Sequence, residues 1–257
     1  MQEYETNMQE NDADMQKNGR DPGELIVLSQ VQETETVWLW EPYIALGKVT
    51  IMQGDPGEGK STIALHLAAA VTRGVSMENR NILVSNPDYV VYQNAEDGLA
   101  DTIKPRLLRA NADCENVFCL NDSKYPLEVG DGRIKMILEK LHPKLLILDP
   151  LQAYLGADVD MHRANEIRPI MTELSELAEQ YHCAILLIGH MNKMQKGKSI
   201  YRGLGSIDLT AAARSVLLVV HAVHHLGQGG THLSVRDDNC FIVIRIFFRF
   251  YQGPGVP

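Results

Sequence analysis

The chain has 257 residues, of which 45% are hydrophobic and 22% charged, ordinary proportions for a globular protein that exclude collagen-like, mucin-like and wholly disordered chains. At roughly 150 residues per domain this is one large domain or two small ones, with enough apolar material for a sizeable core. Lys and Arg number 24 against 33 Asp and Glu, a net charge of −9; this excludes a general nucleic-acid coat and restricts any DNA contact to a local patch.

Residues 1–24 contain no Leu, Ile, Val, Phe or Trp and carry seven acids against Lys17 and Arg20. Such a segment cannot bury enough apolar surface to offset its ordering entropy, so a disordered acidic tail is expected. It holds five of the nine net negative charges, leaving the remainder near −4. It has neither the basic nor the apolar region of a signal peptide. No run of 18 or more apolar residues occurs, so no membrane span is expected. Cys114, Cys119, Cys183 and Cys240 are too few for a disulfide scaffold and lack CxxC spacing. His224, His225, His232 and Cys240 could in principle meet at a metal, but their irregular spacing argues against it. The expectation is a reduced, cytoplasmic protein.

From Leu25 onward, β-rich runs alternate with helical patterns. Strands are expected at Lys48–Gln53, Tyr89–Gln93, Val117–Leu120, Lys144–Leu148, Ala184–Ile188 and Ser215–Val220. Several are continuous apolar runs, as in parallel strands covered on both faces. Ser61–Arg73 is rich in Ala and Leu, and Asn165–Tyr181 repeats apolar residues at helical spacing, so both are expected helices. The pattern predicts an α/β domain over residues 25–225, with a mainly parallel twisted sheet and helices on both faces. Residues 226–257 read as a separate extension. Its run CFIVIRIFFRFY (Cys240–Tyr251) is strongly β-prone, either a terminal edge strand or an altered end of the reading frame.

The strongest motif is Gly54-Asp55-Pro56-Gly57-Glu58-Gly59-Lys60-Ser61, followed by Thr62, between an expected strand and an expected helix. Glycines let consecutive backbone N–H groups curl around a phosphate, and the helix N-terminus faces the anion. Lys60 can reach the β and γ phosphates of ATP, and the Ser61 hydroxyl can ligate Mg²⁺. Leu145–Asp149 is an apolar strand ending in a carboxylate, so Asp149 is the second candidate Mg²⁺ ligand; the alternative is a turn-capping Asp before Pro150. Pro150 occupies the place where many ATPases carry a water-activating Glu. The run Tyr89–Asp97 supplies acids instead: Glu96 is the candidate base, with Asp97 as base, or both as solvent-facing loop acids, as the alternatives. Ala184–Ile188 leads to His190, a candidate to sense the γ-phosphate.

Together these pieces resemble the RecA-like P-loop ATPases, and within them the RepA-like hexameric replicative helicases and related phage or mobile-element ATPases. The residues carrying the resemblance are Trp38-Leu39-Trp40 with Pro42-Tyr43, GDPGEGKST, NAEDG, LLILDPLQAYLG, LLIGHMNK and YRGLGSIDLTAAARSVLLV. The resemblance implies that Glu96 is the catalytic base, Asp149 the Mg²⁺ carboxylate and His190 the phosphate sensor. It also implies a hexameric ring whose channel loop matches residues 193–202. That loop carries Lys193, Lys196, Lys198 and Arg202 with no acid, and Tyr201 can stack on a base, so single-stranded DNA is the expected partner; the alternative is a solvated loop. Where related hexamers carry an arginine finger, this chain reads His221-Ala222-Val223-His224-His225; Arg202 and Arg214 are the remaining candidates.

Three functions are therefore weighed. The first is a DNA-acting, helicase-like ATPase, and the second a nucleotide-dependent switch or assembly ATPase that binds a protein partner without DNA. The third, a metabolic kinase, needs an acceptor pocket and an Arg-rich lid, neither of which is visible.

Overall fold

The computed structural model describes residues 26–75, 86–157, 159–161, 163–190, 207–221 and 241–246. Residues 26–35 fall in a first unit that carries one short 3₁₀ turn, Leu28–Gln30. The second unit begins at Thr36.

That unit opens with a two-stranded antiparallel hairpin, β1 (Trp38–Trp40) and β2 (Ile44–Ala45). Trp40 and Tyr43 are fully buried, with ring centroids 4.7 Å apart. The main sheet contains β3 (Val49–Gly54), β4 (Val90–Asn94), β5 (Val117–Phe118), β6 (Leu145–Asp149), β7 (Ala184–His190), β8 (Ser215–His221) and β9 (Phe241–Ile246). The spatial order is β5-β4-β6-β7-β3-β8-β9. Every pairing is parallel except β8 with β9, which is antiparallel.

All six expected strands are present, each within about two residues of its expected bounds. The run Cys240–Tyr251 contains β9, hydrogen-bonded to β8 at the margin of the sheet among the described residues.

Two apolar layers cover the sheet, and strand periodicity explains which residue joins which. In β6, Leu145 and Ile147 face one layer while Leu146 and Leu148 face the other. The first layer is built by α1 (Lys60–Arg73) and α2 (Lys104–Arg109), a π-helical turn, Leu99–Ile103, leading into the latter. Ala64, Ala68 and Ala70 are buried in this layer, where small side chains let α1 approach the strands closely. The second layer contains α3 (Arg133–Leu141) and α4 (Ala164–Tyr181), with Leu209 of α5 (Ile207–Ala212). In α4, Ile167, Met171, Leu174, Leu177 and Ala178 form the buried stripe expected from the sequence. Each fully buried Leu or Ile here contributes about 1.5–3 kcal/mol.

Period two has a consequence for the site. Continuing the alternation past Ile147 puts Asp149 on the α1 side of the sheet, and continuing it past Leu186 and Ile188 puts His190 there too. Parallel strands end at one edge, so these side chains emerge beside the loop that follows β3. Among the described residues, no helix is long and apolar enough to cross a membrane.

Candidate functional site

The loop between β3 and α1 begins at Gly54, a position fixed by space. A Cβ there would lie 2.5 Å from the Val219 carbonyl oxygen of β8, closer than any side chain tolerates. Gly57 and Gly59 are required for a different reason, their φ angles of +83° and +84°. That left-handed region is strained for residues with a Cβ. Pro56 and Gly57 are exposed, Asp55 and Glu58 half-buried. Ile63 N–H donates to the Gly59 carbonyl at 3.0 Å, closing the first helical turn. Ser61 is half-buried and Thr62 exposed on that turn.

Lys60 is 4% exposed, and its ammonium folds back into the loop it follows. Its Nζ donates to the carbonyl oxygens of Gly54 and Asp55, both at 2.9 Å. Burial lowers its pKa from the usual ammonium range, an effect opposed by the charges of Asp149, Asp55, Glu58 and Glu96. The cation thus feels two carboxylates of its own loop, Asp55 and Glu58, and two from beyond it, Asp149 at the end of β6 and Glu96 after β4.

Asp149 ends β6 and is 3% exposed. Its Oδ2 accepts a hydrogen bond from the Tyr92 hydroxyl at 2.7 Å. Tyr92 is itself fully buried. Burial first, and the neighbouring Asp149 charge second, push its hydroxyl far above the normal phenol range, so it stays a donor. Asp149 pairs in register with Asn94 at the end of β4, and its carbonyl accepts from Ala95 N–H at 3.1 Å.

Beyond β4 the chain turns on Asn94. The Asn94 Oδ1 accepts from the backbone N–H groups of Glu96 at 3.0 Å and Asp97 at 2.6 Å. This side-chain-to-backbone bonding fixes the turn and parts the two acids. Asp97 points to α2, where Arg106 Nη1 donates to its Oδ2 at 3.1 Å. Glu96 points along the sheet edge, where its Oε1 lies 3.5 Å from His190 Nε2. His190 pairs in register with Gly54. Its Nδ1 is buried with no hydrogen-bond partner among the described residues.

The structure therefore gathers the phosphate loop, Asp149, Glu96 and His190 at the C-terminal edge of four neighbouring strands, β4-β6-β7-β3. Lys193, Lys196, Lys198, Tyr201 and Arg202 lie outside the described residues, as do His224, His225, His232 and Cys240. Arg214 is exposed and immediately precedes β8, its N–H donating to the Val49 carbonyl at 2.9 Å. Among the described residues no group of three or more His, Cys, Asp or Glu could hold a metal by itself.

Sequence reasoning missed three residues that shape this edge: Tyr92, Asn94 and Arg106. Asn94 carries a readable signal, an Asn two residues before an acid at a strand end, which is Asx-turn chemistry. Tyr92 is legible only by parity, since it shares the face of Asp149 across one strand. Arg106 gives no sequence signal.

The residues present fit a magnesium nucleotide. The two left-handed glycines give the loop the backbone shape of a phosphate cradle, and a Cβ at Gly57 would meet nothing within 4 Å, so the loop is open on that side. Ser61 and Asp149 offer a hydroxyl and a carboxylate, the hard oxygen donors that Mg²⁺ prefers.

Comparisons with known proteins bear on the family and the fold. Residues 22–196 match the family model described as AAA domain. The DNA repair protein RadA of Streptococcus pyogenes is 28% identical over 149 residues, covering 57% of this chain and 28% of that protein. RadA of Helicobacter pylori is 28% identical over 152 residues, covering 58% and 30% respectively. The chain thus spans less than a third of the length of these curated relatives. In fold, it is similar to the crystal structure of a KaiC-like protein from the archaeon Pyrococcus horikoshii. That likeness has a TM-score of 0.53 at 13% identity and covers 86% of this chain and 92% of the other. The family model covers well over half of the sequence, and with the parallel sheet and phosphate loop it identifies the chain as a member of the AAA domain family with a RecA-like P-loop ATPase fold.

Proposed function

We propose that this chain binds and hydrolyses Mg-ATP at the C-terminal edge of β3, β6, β7 and β4, and couples hydrolysis to work on DNA as a homo-oligomeric ring. The observation carrying this reading is the convergence of Lys60, Asp149, Glu96 and His190, residues spread over 131 positions of sequence, at one sheet edge. The resemblance to RadA proteins, whose name records DNA repair, supports the DNA-directed part.

In this reading the ATPase domain spans residues 25–225, is preceded by the acidic tail, and takes β9 of the extension 226–257 into its sheet. Gly54 to Thr62 hold the triphosphate, with backbone amides on the phosphate oxygens and Lys60 exchanging its two carbonyl partners for the β and γ phosphates. Ser61 and Asp149 hold Mg²⁺, which when bound neutralises charge on the phosphate oxygens. Glu96 takes the proton of the attacking water at its carboxylate. His190, within 3.5 Å of Glu96, is placed to exchange that carboxylate for the γ-phosphate and to pass the change to the chain beyond β7. Lys193, Lys196, Lys198 and Arg202 follow there and supply the phosphate-neutralising charge for single-stranded DNA.

Phosphate release by the purified protein tests the site: Lys60→Ala should abolish it, and survival of hydrolysis would show the assignment to be wrong. DNA is tested separately. Single-stranded DNA should bind at low salt and stimulate hydrolysis, and both effects should disappear when Lys193, Lys196 and Lys198 are neutralised together. Hydrolysis that ignores DNA and those three substitutions would favour the switch that binds a protein partner. A solution mass measurement with Mg-ATP reads the ring.

A further inference from the structure

We infer that Tyr92 is a positioning residue for the metal site: its hydroxyl, bonded to Asp149 Oδ2, fixes the orientation in which the Asp149 carboxylate receives Mg²⁺. The inference rests on the reading of Asp149 as the metal carboxylate and adds the group that aims it.

Three observations carry it. First, Asp149 is 3% exposed, and a buried carboxylate needs donors to offset lost hydration; the Tyr92 hydroxyl supplies one at 2.7 Å, the short distance of a charge-assisted bond. Second, the bond engages one oxygen of the carboxylate, so rotation about its Cβ–Cγ bond is restrained and Oδ1 is left for another ligand. Third, the tyrosine is itself enclosed. It is fully buried in the layer beneath α1, pairs in register with Ile147, and sits on the strand whose end carries Asn94 and the turn to Glu96. A phenylalanine would pack equally well in that layer, so the hydroxyl has a task that packing does not explain. The arrangement ties the metal carboxylate and the candidate base to one strand, β4.

The test uses the full chain as wild type, Tyr92→Phe, Asp149→Asn and the double variant. Mn²⁺ is the probe, titrated by electron paramagnetic resonance in the presence of a non-hydrolysable ATP analogue. A fluorescent ATP analogue in excess EDTA reads metal-free nucleotide binding. Removing an outer-shell partner of a metal ligand typically weakens metal binding 10–100-fold. Tyr92→Phe should therefore weaken Mn²⁺ binding by about tenfold while metal-free nucleotide affinity is unchanged, and should add nothing in the Asp149→Asn background. Unchanged Mn²⁺ affinity in Tyr92→Phe, or an equal loss in the Asp149→Asn background, overturns the inference while leaving the reading of Asp149 intact. Unchanged Mn²⁺ affinity in Asp149→Asn instead overturns the reading itself, and the inference with it. Should Tyr92→Phe not fold, a ¹³Cζ-tyrosine label in the unaltered chain reads the same bond. Its Tyr92 resonance should shift when Mg²⁺ joins the bound analogue, and a resonance indifferent to Mg²⁺ is the overturning result.

Discussion

Two turns leave the same sheet edge and are built on opposite principles. The phosphate loop after β3 takes its shape from glycines: Gly54 leaves room for the Val219 carbonyl, while Gly57 and Gly59 adopt left-handed angles. Its one buried side chain, Lys60, bonds only to carbonyls of the loop itself. The acidic turn after β4 has no glycine among Asn94 to Asp97 and takes its shape from side chains. Asn94 holds its backbone, Arg106 draws Asp97 away, and His190 stands beside Glu96. A phosphate site has to be a fixed arrangement of amides, which backbone angles supply locally. A base has to be aimed relative to groups on other strands, which only tertiary contacts supply.

The largest effect separates the two acids of the second turn. Glu96→Gln should lower the hydrolysis rate at least 100-fold, the usual contribution of a positioned general base, while ATP binding is kept. Asp97→Asn should change the rate only slightly. Equal losses in a phosphate-release assay would mean that the turn does not part their roles.

The next effect tests the backbone logic of the first turn. Gly54→Ala forces a Cβ against a carbonyl of β8, and an overpacked site costs about 1–3 kcal/mol. Gly57→Ala meets no neighbour, so its cost is the left-handed strain alone, about 1–2 kcal/mol. Denaturant unfolding should rank Gly54→Ala as the more damaging for stability, whereas a nucleotide-binding assay should register both.

Asn94→Ala removes two hydrogen bonds to the Glu96 and Asp97 amides, at about 1 kcal/mol of stability each. It should lower kcat with little change in KM for ATP, because it misdirects Glu96 without touching the phosphate loop. A rise in KM with unchanged kcat would place the turn in nucleotide binding instead.

The smallest effect belongs to Arg106→Ala. Its pair with Asp97 is partly exposed, and such pairs contribute about 0–1 kcal/mol. Its melting temperature should be nearly that of the unaltered chain. Any drop in hydrolysis should be matched by Asp97→Asn and should not deepen when the two changes are combined, which a double-mutant cycle on the rate would read.

Much of this architecture is legible in the sequence because its signals are local. Continuous apolar runs announced the six parallel strands, since a strand covered on both faces needs no polar alternation. The glycine spacing of 54–59 announced the phosphate loop, since left-handed backbone is nearly a glycine property. β9 was read only as a β-prone run with two possible explanations, because pairing at a sheet margin depends on which strand happens to be free. The hairpin of β1 and β2 was seen as an aromatic motif and not as strands, its three- and two-residue members being too short to show a period.

The sequence by itself determined the fold class, the phosphate loop and the set of candidate carboxylates, because propensity, periodicity and glycine angles act within a few residues. Only the tertiary structure decided which acid faces which partner. Glu96 meets His190 across 94 residues of chain, and Tyr92 meets Asp149 across 57. Those pairings follow from the strand order β4-β6-β7-β3 and from the parity of residues along each strand, which no local signal contains. The −9 balance likewise excluded a coat of positive charge from the start. It left open what the structure then supplied, one sheet edge where a buried Lys60 feels the charges of Asp149, Asp55, Glu58 and Glu96.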